Sequence, residues 1–170
     1  HFLMFYQGVS CPNGTYGEQT GLKTSIGLAR SPDGLNWTCE EEPILSFENM
    51  RATDSAMDQT QTIGLIEPSV LYENDVYRMW FVYNHRTYPG NAIFYAESDD
   101  LRQWRIRPTP ELRGEDFGDC RIHYPQVLRR NGILELWFTL QDNRTGVFSI
   151  FRAQADKDIQ GWSPAEQAMP

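Results

Sequence analysis

The chain has 170 residues, 40% of them hydrophobic and 22% charged, which suits one domain with a buried core. Its formal net charge of −8 argues against a nucleic-acid backbone or an anionic membrane surface as partner. No apolar run approaches the roughly 20 residues that would span a bilayer.

Read in chain order, the sequence states one pattern three times. The first statement has strand-like runs at 2–8 and 25–30, a turn at Ser31-Pro32-Asp33-Gly34 and a closing Trp37. The second opens with Pro68-Ser69-Val70-Leu71, continues through 78–83 and 92–98, turns at Ser98-Asp99-Asp100 and closes on Trp104. The third opens with Pro125-Gln126-Val127-Leu128, continues through 134–140 and 149–155, and closes on Trp162. These runs are rich in Val, Ile, Phe, Tyr and Trp and are bounded by turn residues, the mark of strands. Helical periodicity is nearly absent.

Connection lengths then orient each unit. Glu73-Asn74-Asp75 and Arg130-Asn131-Gly132 are tight-hairpin material between first and second strands. The second-to-third links, 9–23 and 84–91, are longer, and the links between units, 38–66 and 105–123, are longer still. Four antiparallel strands per unit predict an all-β fold, a β-propeller of just under three blades over 1–37, 67–107 and 123–165. In an up-and-down blade all the long loops share one face, so that rim is the predicted ligand face.

The runs Pro68-Ser69-Val70-Leu71 with Tyr77-Arg78-Met79-Trp80-Phe81, and the stretch from Ile26 through Arg30-Ser31-Pro32-Asp33-Gly34 to Trp37, carry a family likeness. They resemble the five-bladed propellers of the invertase, levansucrase and arabinanase type, a group of glycoside hydrolases and related glycan phosphorylases. The resemblance implies cleavage of a glycosidic bond by paired carboxylates at the propeller axis, with an oligosaccharide or glycoside as substrate and no cofactor. Two departures stand out: fewer than the family's five or so blades, and a first unit without its innermost strand. The expectation is a fragment of a longer protein, or a homodimer that completes one ring.

Glycoside cleavage needs two carboxyl groups flanking the scissile bond. In the family resembled, they stand at the starts of innermost strands, and Glu67, directly before Pro68, occupies that place. Its apolar neighbours Leu65 and Ile66 suit a proton donor, although a solvated carboxylate at a strand start would look the same. The matching slot of the next unit holds His123-Tyr124, with Asp119 and Arg121 just upstream. Asp119 is the candidate second carboxyl. His123 and Tyr124 are candidates to bond or stack on a sugar, or simply to pack the channel, and Arg121 to clamp an anion. Asn84, His85 and Arg86, on the rim loop after the second strand, complete the candidate binding set. Asp54 and Asp58 are weaker partners for Glu67.

Trp37, Trp104 and Trp162, by contrast, recur far from the axis and read as wedges between blades. Cys11, Cys39 and Cys120 fit neither a metal knuckle nor a disulfide framework, and His1, His85 and His123 are too scattered for a metal site. No Gly-rich phosphate loop, serine elbow or His-Glu metal helix appears. A non-catalytic carbohydrate-binding or structural propeller stands as the alternative to a glycan-active enzyme.

Overall fold

Local turn chemistry sets the first level of structure. In the computed structural model, which describes residues 1–10, 23–53, 62–155, 159 and 161–169, Asn74 and Asp75 have φ of 52° and 60° and Asn131 and Gly132 have 51° and 80°. Left-handed pairs of this kind give two-residue hairpins whose twist matches that of the flanking strands. They join β4 (Thr62–Glu73) to β5 (Val76–His85), and β9 (Cys120–Arg130) to β10 (Ile133–Asp142).

The remaining strands complete three blade-like units. The first holds β1 (Phe2–Ser10), β2 (Lys23–Ser31) and the short β3 (Thr38–Cys39), in antiparallel succession. The second runs β4-β5-β6-β7, with β6 at Ala92–Ser98 and β7 at Arg105–Ile106. A further short strand, β8 (Leu112–Arg113), pairs with β6. The third is the separate sheet β12-β11-β10-β9, with β11 at Phe148–Ala155 and β12 at Glu166–Met169. The chain is therefore all-β and forms part of a propeller. The first two units merge into one eight-stranded sheet through a parallel pairing of Thr24 with Gly64. Gly64 is required there: its φ is 115°, and a Cβ would lie 2.4 Å from the Thr24 carbonyl oxygen.

Two links are more structured than their composition predicts. Segment 38–66 contains β3, a seven-residue helix α1 (Phe47–Thr53) and the first five residues of β4. Likewise, segment 105–123 contains β7, β8, a 3₁₀ turn over Gly114–Phe117 and the start of β9. Helix α1 is too short for an apolar period to show, yet Phe47 and Met50, three apart, both reach the core. The rest of segment 38–66 up to β4, with Asp54 and Asp58, lies outside the described residues, as do Cys11 and the link between β1 and β2.

Packing follows the faces of β5. Met79, Phe81 and Tyr83 point into a core shared with Ile26, Leu28 and Trp104, between the first and second units. Trp80 and Val82 point the other way, against Ile122, Leu136 and Phe138 of the third. Buried on both sides, β5 reads as an unbroken apolar run. Each fully buried large side chain contributes about 1.5–3 kcal/mol. Of the three outer tryptophans, Trp104 and Trp162 are wedges: Trp104 sits in the first core, and Trp162 packs edge-on to Trp80 and donates to Glu111 at 2.8 Å. Trp37 is 37% exposed, its indole N–H donates to the Gly34 carbonyl at 3.1 Å, and it lies in neither of the two cores.

Candidate functional site

The repeat places one backbone device in two innermost strands. On β4, Ile66 pairs with Val82 and Ser69 with Trp80, so Glu67 and Pro68 together oppose Phe81. On β9, His123 pairs with Thr139 and Gln126 with Trp137, so Tyr124 and Pro125 together oppose Phe138. Each is a β-bulge, two residues against one. A proline with no N–H to give the ladder falls in each. Glu67 and Tyr124 take φ of 56° and 52°, a conformation costing a non-glycine residue about 1 kcal/mol or more. Strain kept at matching places of two successive units is a pointer to function.

The bulges bring the two strands' side chains together. Glu67 therefore stands within its strand, five residues after its start, where sequence places it just ahead of one. As the edge strand of its sheet, β9 points part of its N–H groups away from β10, and they need acceptors. Tyr124 N–H donates to Glu67 Oε2 at 2.7 Å, and Val127 N–H donates to Ser69 Oγ at 3.0 Å. His123 Nδ1 stands 3.2 Å from Glu67 Oε1. Farther along, Arg129 grips Glu73 with two bonds of 2.7 and 2.8 Å, and this bond holds the Glu73 carboxyl below its ordinary range. The Glu67 and His123 side chains are only 14% and 16% exposed, whereas Tyr124 is 55% exposed.

The start of β9 is itself built by close backbone contact. Ile122 N–H donates to the Gly90 carbonyl at 2.9 Å, Asn91 Nδ2 donates to the Ile122 carbonyl, and Gly114 N–H donates to the Asn91 carbonyl. A Cβ on Gly90 would lie 2.1 Å from the Cys120 carbonyl oxygen. The rim loop after β5 thus fixes where His123 emerges.

The other candidates are placed elsewhere. Asp119 is exposed, four residues before His123, and accepts a 2.8 Å bond from Asn143 Nδ2 that ties down the loop after β10. Arg121 is exposed on β9. His85 is 3% exposed, its ring stacked 5.4 Å from Tyr83 and its Nδ1 accepting from Thr87 N–H, so it packs inward. Asn84 is half-buried and Arg86 exposed. Among the described residues none of these five hydrogen-bonds or ion-pairs with Glu67, whose partners are His123 and Tyr124. No group of three or more His, Cys, Asp or Glu among the described residues is set to hold a metal.

One residue that sequence reading passes over belongs here. Phe148, first in β11, is 46% exposed, with its ring centre 6.3 Å from that of His123. By register it matches Asn91 of the preceding unit. An aromatic at a rim position that holds a buried Asn in the sister unit is the signal that marks it.

No protein-family model matches the chain, and none of the curated proteins does. Solved structures do. A GH32 β-fructofuranosidase from Bombyx mori superposes with a TM-score of 0.70 at 14% identity, over 97% of this chain and 34% of that one. A β-1,2-mannobiose phosphorylase from Listeria innocua, complexed with β-1,2-mannobiose, gives 0.60 at 19% identity, over 86% and 36%. The α-L-arabinanase of Penicillium chrysogenum, complexed with arabinobiose, gives 0.62 at 15% identity, over 97% and 44%. The chain spans about a third to under half of these proteins. The likeness is one of fold, that of the propeller glycoside hydrolases and related phosphorylases.

Proposed function

We propose that this chain is part of a glycan-active β-propeller, in which Glu67 is one of two carboxyl groups that act on a glycosidic bond. The observation that carries this reading is the Glu67 bulge. A strained mid-strand backbone turns a mostly buried carboxyl toward the adjacent innermost strand, where Tyr124 N–H and His123 hold it in one orientation. The fold supports it, since its solved neighbours include a β-fructofuranosidase, a mannobiose phosphorylase and an arabinanase. The second carboxyl is assigned to Asp119, the acid just before the strand that carries His123 and Tyr124. Arg121, Asn84 and Arg86 are the polar groups left to meet sugar hydroxyls. His85, being buried, supports the rim loop from within.

A second reading, a non-catalytic carbohydrate-binding propeller, is favoured by one feature. The bulge that mirrors Glu67 carries Tyr124, so the repeat supplies one acid and one phenol. Turnover of aryl glycosides and of sucrose, β-1,2-mannobiose and arabinobiose, measured for wild type, Glu67→Gln and Asp119→Asn, decides between them. Loss of a catalytic carboxyl is expected to lower kcat by about 10²–10⁴-fold. Full turnover by Glu67→Gln would remove Glu67 from the chemistry. Sugar binding with no turnover by the wild type would leave the binding module.

A further inference from the structure

Beside Glu67 the rim carries an aromatic row. His123 lies between two exposed rings, with its centre 5.5 Å from that of Tyr124 and 6.3 Å from that of Phe148. The row crosses a sheet: Tyr124 and His123 are on β9 and Phe148 is on β11, with β10 between them. It also crosses the bulge, since the left-handed Tyr124 re-aims a side chain that plain alternation would send to the opposite face from His123. Among the described residues other exposed apolar side chains include Phe2 and Met4, both on β1, and Tyr72, whose ring stacks on Tyr77, but none of these has a ring contact with His123, the partner of Glu67. Here the mostly buried Glu67 carboxyl bonds to the central ring, His123.

We propose that the exposed rings of Tyr124 and Phe148, which flank the mostly buried His123, form a stacking platform that holds one sugar ring of the substrate beside the Glu67 carboxyl. A sugar ring has an apolar C–H face and a rim of hydroxyls. Two exposed aromatic faces on either side of an imidazole that a carboxyl group holds match both. A nucleic acid would need positive charge beside the rings, and the net charge of −8 opposes it. Phe148 is the specificity-determining member, because its ring makes no hydrogen bond and contributes only its face and bulk. The inference rests on the proposed carbohydrate site, but it concerns binding rather than bond cleavage.

Sucrose, β-1,2-mannobiose and arabinobiose are the probes, followed by saturation-transfer NMR with ligand titration. The wild type is expected to bind at least one, with saturation strongest on ring C–H protons. Phe148→Ala and Phe148→Leu are expected to weaken that binding about three- to tenfold, whereas Phe148→Trp retains it. Because Phe148 is half-exposed, all three variants are expected to melt close to wild type, and Phe148→Leu keeps the apolar bulk while removing the ring. In Glu67→Gln, turnover should fall while binding stays. Unchanged binding in both Phe148→Ala and Phe148→Leu would overturn the platform while leaving the catalytic reading intact. Probe binding that depends on Phe148, in a wild type with no turnover, would uphold the platform and overturn catalysis. No binding of any of the three probes by the wild type would overturn the platform.

Discussion

The bulge at Glu67 and the bulge at Tyr124 share a backbone and differ in what they present. Both place a left-handed residue before a proline, and both set two residues against one buried phenylalanine. Yet Glu67 turns inward to partners on the next strand, while Tyr124 turns out to solvent. The repeat thus duplicates a scaffold, and a single difference within it sets an exposed phenol against a mostly buried acid. The strands differ in one further way: β4 has a second irregularity at Gly64 that β9 lacks.

The largest expected effect tests whether the backbones are equivalent. Phe81 and Phe138 are almost fully buried opposite the two bulges. Phe81→Ala and Phe138→Ala should each destabilise by about 3–5 kcal/mol in urea unfolding. A heavy loss in only one of them would show that the bulges are supported differently. Next comes the irregularity peculiar to β4. Gly64→Ala should cost about 2 kcal/mol or more, because the added Cβ meets the Thr24 carbonyl at a φ that alanine avoids.

The side chains should then behave oppositely. Glu67→Ala leaves the Tyr124 N–H without its acceptor and should cost about 1–3 kcal/mol. Tyr124→Ala removes a mostly exposed ring and should stay within about 0.5 kcal/mol. Equal costs would erase the distinction between an inward acid and an outward phenol.

A further modest effect, read best in its pH dependence, concerns the pair that joins the same two strands farther along. Arg129 depresses the Glu73 carboxyl, so the pair's contribution is complete above the ordinary glutamate value of about 4.3 and is lost as pH falls through the depressed folded value. Glu73→Gln should cost about 1 kcal/mol near neutrality, and the variant's melting temperature should fall less steeply than wild type below about pH 4.

Much of the fold was legible because it is written in local chemistry. Asn74-Asp75 and Asn131-Gly132 announce their hairpins through residues that tolerate positive φ. The Ser31 and Ser98 turns form the same network. In each, the serine hydroxyl and the Asp two residues on accept the following N–H groups, and the tryptophan indole N–H donates back to the turn. What stayed hidden depends on partners distant in sequence. His85, by composition a rim residue, is drawn under the loop by Tyr83. Trp37, by repetition a wedge, lies in neither of the two described cores. Phe148 gains meaning only from the ring of His123, two strands away.

From the sequence alone comes the blade repeat, because strand period and turn chemistry act over a few residues, while Glu67 is singled out as a candidate acid by the family resemblance. Only the tertiary structure decided that Glu67 sits in a mid-strand bulge, and that His123 and the Tyr124 N–H hold its carboxyl across a separation of 56 and 57 residues. The physical reason is register. Where one proline interrupts a ladder depends on which residue of the neighbouring strand lies opposite, and packing between blades sets that pairing.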